Sequence, residues 1–268
     1  MKVGVLITAR MKSERLKFKA LKKLNGYSII ERIIQRAKEI AIHDGVVLCT
    51  STNHQDLPLV EIAQKQNINY FNGHPDDVLQ RLLDASLFYN YDYIVCLTGD
   101  NPLFSIHYAN VIIDHVIKNN TTEFIYSSGN PLGVSINAIS VKTLSFICSI
   151  KNHVDTEIWG NFVNHPELFN VVEIVVNSDN YIDIDRLTVD EHDDYLQMKK
   201  IFDSFDKNAI IEESDIISFF KDNLDVKKIN LKVVQKDLDD SIKKDLNKFY
   251  SDNLKELIVQ KAKYYENY

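Results

Sequence analysis

Short, nearly unbroken apolar runs alternate with longer stretches of helical period over residues 1–205. Val3-Gly4-Val5-Leu6-Ile7, Val46-Val47-Leu48-Cys49-Thr50 and Tyr93-Ile94-Val95-Cys96-Leu97 are the first three runs. Runs without polar alternation suit strands covered on both faces, as in a parallel sheet. Between the first two, Asn25-Gly26 reads as a turn, and Ser28 with Glu31 has the spacing of a capping box. Ile29, Ile30, Ile33, Ile34 and Ala37 then recur at helical spacing. Further helices are predicted over 77–89, with Val78, Leu82, Ala85 and Phe88 on one side, and over 107–117. Strands alternating with helices predict right-handed βαβ units and a doubly wound α/β sheet. Such sheets bind ligands beyond the carboxyl ends of their strands, so the informative residues should follow the apolar runs.

Later in the chain, Val171-Val172-Glu173-Ile174-Val175-Val176 leads through an Asp-rich stretch (177–185) into Arg186-Leu187-Thr188-Val189-Asp190. A helix over about 193–205 closes a first domain, 1–205. Residues 206–268 lack Pro and Gly and are rich in Lys, Asp and Asn. Leu238, Ile242, Leu246, Tyr250, Leu254 and Ile258 suggest a long amphipathic helix there, a packing or oligomerisation appendage, with a homodimer left open.

Composition narrows the class. With 45% hydrophobic and 26% charged residues in 268, the chain has ample material for a buried core. A formal charge of −7 argues against a protein that coats nucleic acid, which needs a basic surface, but a local basic pocket remains open. Cys49, Cys96 and Cys148 lie among apolar residues without CxxC spacing, so we expect buried free thiols. No apolar run approaches the roughly 18 residues needed to cross a bilayer, and no signal-peptide pattern opens the chain, so we expect a cytoplasmic protein.

Candidate chemistry falls where the sheet predicts it. After the first run, Thr8-Ala9-Arg10-Met11-Lys12-Ser13-Glu14-Arg15-Leu16-Lys17-Phe18-Lys19 places five basic side chains within ten residues. Such a loop can present cations and backbone N–H groups to a polyphosphate, although basic runs are usually solvated surface. After the third run, Leu97-Thr98-Gly99-Asp100-Asn101-Pro102-Leu103 offers an Asp that either holds a divalent cation over phosphate or caps the next helix. Asp190 ends a later apolar stretch and would complete a two-carboxylate metal site with Asp100. Asp183 and Asp185 form a competing pair, while Asp193 and Asp194 suit a helix start.

In this order, the motifs Ala9-Arg10-x-x-Ser13-x-Arg15-Leu16-x-x-Lys19, Asp77-Val78-Leu79-x-Arg81, Thr98-Gly99-Asp100-x-Pro102-Leu103 and Arg186-Leu187-Thr188-Val189-Asp190 resemble the cytidylyltransferase family. The similar branch is that of spore coat polysaccharide biosynthesis protein SpsF, related to the synthetases of CMP-Kdo and CMP-sialic acids. The resemblance spans residues 1 to about 205. It implies a nucleotide-diphospho-sugar transferase-like three-layer α/β/α sandwich with a Rossmann-like mixed sheet, acting on CTP and a small acidic acceptor. By resemblance, Ala9, Arg10, Ser13, Arg15 and Lys19 surround the CTP phosphates, and Asp77 and Arg81 lie near the nucleotide. Asp100 and Asp190 would bind Mg2+, and Arg10, Lys19 and Asp100 would carry catalysis. Thr50 and Ser51 would line the nucleotide pocket, unless they are ordinary strand-end hydroxyls.

Three departures stand out. Lys17-Phe18 replaces the Pro-Gly that usually precedes the loop lysine. Gly133-Val134-Ser135-Ile136-Asn137 replaces an acceptor segment that often reads Gly-x-Asp-x-Glu. His153-Val154-Asp155-Thr156-Glu157-Ile158-Trp159-Gly160 stands where Glu-His-Val-Thr is common. The nucleotide half is therefore expected to be intact and the acceptor half altered. Trp159 lines the acceptor pocket or packs in the core. His107, His153 and His165 lack metal-ligand spacing, and His74-Pro75 suits a loop before a helix. The expected reaction is activation of an acidic sugar of the 2-keto sugar acid type, in surface polysaccharide or glycan synthesis. The alternatives are a phosphorylated or phosphonate acceptor, or a non-catalytic nucleotide-binding or assembly protein on the same fold.

Overall fold

The computed structural model describes residues 1–13, 15–154, 156, 158–176 and 184–268. Glu14, Asp155, Glu157 and Asp183, named above, lie outside the described residues. In chain order the strands are β1 (Val3–Thr8), β2 (Lys23–Leu24), β3 (Tyr27–Ser28), β4 (Gly45–Ser51), β5 (Asn69–Gly73), β6 (Tyr93–Thr98), β7 (Phe124–Ser128), β8 (Asn137–Ser140) and β9 (Val171–Val175). The helices are α1 (Ile29–Ala37), α2 (Leu57–Lys65), α3 (Val78–Tyr89), α4 (Ile106–Lys118), α5 (Val141–Ile150), α6 (Gly160–Val163), α7 (His192–Asp203), α8 (Glu213–Asp222), α9 (Leu224–Lys227) and α10 (Asp240–Glu266).

Seven strands form one sheet in the order β5-β4-β1-β6-β8-β7-β9. β4, β1 and β6 run parallel, β8 alone is reversed, and β7 and β9 run parallel to each other beyond it. The sheet is thus mixed, as the resemblance implies. Each apolar run is split between two cores. Val3, Val5 and Ile7 of β1, with Val95 and Leu97 of β6, join the core under α1, α2, α4, α7 and α8. Leu6 and Cys96 point the other way, into the core under α3, α5, α6 and α10. Helices on both faces of one sheet make three layers, which is why the strands show no polar alternation.

Local signals explain the element ends. Asn25 (φ 44°) and Gly26 (φ 88°) form the tight turn of the small antiparallel β2–β3 hairpin. Ser28 accepts from the Glu31 N–H at 3.3 Å while Glu31 accepts from the Ser28 N–H at 2.6 Å, closing the box that starts α1. Asp77 and Ser105 cap α3 and α4 in the same manner, each accepting from an N–H three residues on. Burial pushes the Cys49 thiol up to about 12 and raises Cys96 as well, so both are inert core hydrophobes. Among the described residues, no helix is long and apolar enough to cross a membrane.

The region after 205 adds to both cores. Ile211, Ile216, Phe219, Phe220 and Val226 enter the first, and Leu246, Tyr250 and Leu257 of α10 enter the second. Ile258, assigned above to the apolar face of this helix, is 48% exposed, and Leu238 precedes the helix.

Candidate active site

Because β4, β1 and β6 are parallel and in register, their carboxyl ends bring residues 8–10, 50–51 and 98–100 to one edge of the sheet. The Ala9 N–H donates to the Cys49 carbonyl at 3.2 Å and the Gly99 N–H to the Thr8 carbonyl at 2.8 Å. A Cβ on Gly99 would stand 2.7 Å from that of Ala9, so the basic loop meets the Asp100 turn only because position 99 lacks a side chain. Ala9, expected at the phosphates, is a buried contact of this seam.

Asp190 arrives from the far end of the chain. Arg186 bridges to Leu132 in parallel, the Leu187 N–H donates to the Leu132 carbonyl at 2.7 Å, and the Val189 N–H donates to the Asp100 carbonyl at 2.9 Å. Gly133 makes this seam possible: its φ is +94°, and a Cβ there would lie 2.7 Å from the Thr188 nitrogen.

The two carboxylates then converge on one cation. Lys19 Nζ lies 2.9 Å from Asp100 Oδ2 and 3.0 Å from Asp190 Oδ1. Thr98 donates to the other Asp100 oxygen at 2.6 Å. Arg15 Nη2 stands 3.1 Å from Asp190 Oδ1, and its Nη1 lies 3.4 Å from Glu191. Behind them, Arg186 Nη2 reaches Asp190 Oδ2 at 3.3 Å while Asp194 holds the same guanidinium at 2.9 and 3.0 Å. Asp194, fully buried, also accepts from the Asp190 and Glu191 N–H groups at the start of α7. Burial lowers the Lys19 pKa, but Asp100 and Asp190 outweigh it and the net shift is upward. Burial raises Asp100, but Lys19 and the Thr98 hydroxyl reverse that and hold the carboxyl below its ordinary range. Lys19 and Asp100 therefore face each other as ammonium and carboxylate at neutral pH.

A second group forms around the 74–77 turn. Arg10 Nη1 donates to the Pro75 carbonyl at 2.5 Å and to Asp76 at 3.0 Å. Arg81, buried at 1% exposure, donates to the carbonyls of His74 at 2.9 Å and Pro75 at 3.0 Å. Desolvation and then the Arg10 charge lower the Arg81 pKa, as expected of two neighbouring guanidiniums with one carbonyl in common. Asp77 spends both oxygens inside the protein. One takes the Gln80 N–H and the Thr156 hydroxyl, each at 3.0 Å, and the other takes Lys151. Ser13, in the same basic loop, is half-buried.

The hydroxyls after β4 behave differently from each other. Ser51 donates to Asp56 at 2.5 Å and accepts from the Asn53 N–H at 3.1 Å. Thr50 is fully buried, and its Oγ1 has no partner among the described residues. Trp159 takes the core alternative, 8% exposed and edge-on to Phe124 at 6.1 Å between centroids.

Several residues of this edge were given no role by the sequence. Asp56, 1% exposed, receives the Met11 N–H at 2.7 Å and so ties the basic loop to the end of β4. Lys151 and Thr156 reach Asp77 across more than 70 positions, and only the fold brings them there. Arg186 stands within a quoted motif; a basic residue four before Asp190 was the available clue.

A divalent cation suits this donor set. Two carboxylates with phosphate oxygens are a common magnesium shell, and the Lys19 ammonium already stands as a cation within about 3 Å of both. Asp100 and Asp190 would hold the metal.

A Rossmann-like mixed sheet carrying a basic loop after β1 and paired aspartates at its carboxyl edge defines a nucleotidyltransferase. More narrowly, the chain belongs to the cytidylyltransferase family, whose model matches residues 4–267, tail included. A cytidylyltransferase structure from Leptospira borgpetersenii serovar Hardjo-bovis is 29% identical, covers 88% of this chain and 100% of its own, and superposes with a TM-score of 0.78. Spore coat polysaccharide biosynthesis protein SpsF of Bacillus subtilis is 26% identical over 82% of this chain and 94% of its own length. CMP-2-keto-3-deoxy-manno-octonic acid synthetase, solved with CTP, shares the fold at a TM-score of 0.60 and 13% identity over 76% of this chain and 99% of its own.

Proposed function

We propose that this protein transfers a cytidylyl group from CTP to an acidic sugar of the 2-keto sugar acid type, releasing pyrophosphate, in cytoplasmic synthesis of a surface polysaccharide or glycan. The observation that carries this reading is the meeting of Asp100 and Asp190 around Lys19, beside the basic loop. An acceptor oxygen attacks the α-phosphorus in line, the bond to the bridging oxygen of the β-phosphate breaks, and pyrophosphate leaves. Such chemistry depends on positioning and on neutralising charge. Arg10, Arg15 and Lys19 hold the leaving phosphates, with Ser13 and the loop N–H groups beside them. Arg81 fixes the 74–76 turn against which Arg10 is set. Mg2+ on Asp100 and Asp190, when bound, supplies Lewis-acid stabilisation of the α-phosphate and lowers the acceptor pKa.

Ser135 and Asn137 support an anionic acceptor, since they are neutral where relatives often carry two carboxylates. The same neutrality supports a second reading, an acceptor bearing phosphate or phosphonate. Pyrophosphate release from CTP and Mg2+, measured across 2-keto sugar acids and phosphorylated or phosphonate acids, separates the two. Asp100→Asn is expected to lower kcat about 100–1,000-fold with CTP still bound, the scale of losing one preorganised charge partner. Release with no acid of either class, or an Asp100→Asn enzyme at full rate in limiting Mg2+, sinks the proposal.

A further inference from the structure

We propose that Lys19 is a tethered counter-ion that closes the Asp100–Asp190 seat to metal until a triphosphate draws it away, so that cation and nucleotide enter as a coupled pair. The inference rests on the functional reading above. Each carboxylate oxygen that faces the seat is already paired: Asp100 Oδ2 with Lys19, and Asp190 Oδ1 with both Lys19 and Arg15. The remaining oxygens are taken by Thr98 and Arg186. A divalent ion approaching without nucleotide therefore meets three cationic side chains and, on Asp100 and Asp190, no unpaired oxygen, and like charges repel it.

The three cations are not equally fixed. Arg186 is clamped from behind by two bonds from buried Asp194 and stays with the protein. Lys19 and Arg15 both come from the basic loop, with side chains 16% and 34% exposed. The Lys19 backbone is held in a single helical turn, since the Leu21 N–H donates to Phe18 and the Lys22 N–H to Lys19. Its ammonium is a compact charge on a flexible four-carbon stem, able to swing without moving the chain. The triphosphate, as the stronger anion, takes the two mobile cations and bares the carboxylates. The same side chains thus guard the seat when it is empty of nucleotide and bind phosphate when it is filled. Linkage then makes the effect reciprocal: CTP tightens metal binding by the same factor as metal tightens CTP binding.

Mn2+ titration read by the electron paramagnetic resonance of the free ion tests this without turnover. Wild-type protein is expected to bind Mn2+ alone weakly, and at least about 10-fold more tightly with saturating CTP. Lys19→Met, which keeps the stem and removes the charge, should bind Mn2+ alone at least about 10-fold more tightly than wild type. Lys19→Met/Asp100→Asn should lose that gain. Arg15→Gln, at a half-exposed position, should give a smaller gain in the same direction and serves if Lys19→Met does not fold. A Lys19→Met protein that binds Mn2+ no better than wild type overturns the proposal, as does a gain that survives Asp100→Asn. Tight wild-type binding of Mn2+ alone overturns it too, yet leaves CTP-dependent pyrophosphate release to be judged by its own assay.

Discussion

At the scale of single residues, Asp56 and Phe18 set the shape of the basic loop. Asp56 is a buried carboxylate that accepts one backbone N–H of the loop and one hydroxyl of β4. Asp56→Ala leaves both donors unmet, at roughly 1–3 kcal/mol. The urea midpoint should fall accordingly, and KM for CTP should rise more than kcat falls, because the loop carries the phosphate contacts. Asp56→Asn, which keeps one acceptor oxygen, should recover part of both. Phe18 stands where relatives usually have glycine, and its φ of 54° is left-handed, with the ring 62% exposed. A side chain in that conformation costs roughly 1–2 kcal/mol. Glycine would remove that cost and add roughly 0.5–1 kcal/mol of chain entropy to the unfolded state. Phe18→Gly should therefore raise the unfolding free energy by up to about 1.5 kcal/mol in urea titration. A loss of stability would show that the ring, despite its exposure, packs on the loop.

At the scale of elements, the site depends on a seam between the segment entering β8 and residues 186–190. Gly133 lies at its closest point. Gly133→Ala would set a methyl group against the Thr188 nitrogen at a positive φ, combining overpacking with left-handed strain for a loss of about 2–4 kcal/mol. Asp190 should move away from Asp100, so kcat should drop in the fraction that folds. Full activity with normal stability would mean that the seam has more slack than its distances allow. This seam also marks where sequence reading stops. The strands β1, β4 and β6 and the residues just beyond them were legible, because burial on both faces writes an unbroken apolar run. The reversed β8 was not legible, since it is four residues long and its partners lie 11–47 positions away. β5 is half-polar and sits at the sheet edge, so it lacks the pattern that identified its neighbours. The motifs named Asp100 and Asp190, but their meeting depends on the Leu132–Arg186 bridge, which no local pattern encodes.

At the scale of the whole molecule, the motif map and the cores divide the chain differently. The motifs end near 190, and residues 206–268 carry none of them, yet α10 covers the face formed by α5 and α6. Tyr250 donates to the Phe162 carbonyl at 2.8 Å and stacks on His165 at 3.7 Å between centroids. Lys261 reaches both Glu123 and the Leu168 carbonyl at 2.6 Å, and Tyr265 also donates to Glu123. Leu246, Tyr250 and Leu257 are each 2–3% exposed. Burying three such side chains contributes about 5–9 kcal/mol as an upper bound, at roughly 1.5–3 kcal/mol apiece. That is comparable with the whole stability of an ordinary domain, about 5–15 kcal/mol. A chain ending at residue 239 should therefore lack a cooperative thermal transition and expose apolar surface to a hydrophobic dye. Tyr250→Phe, which removes only the bond to Phe162, should cost about 1 kcal/mol and leave the fold intact. If the 239-residue chain instead melts cooperatively near the full-length temperature, α10 is a detachable appendage and the division at 205 is a true domain boundary. If it does not, the tail is the outer layer of the catalytic fold, and the motif-free sequence after 205 is held by packing together with the polar contacts of Tyr250, Lys261 and Tyr265.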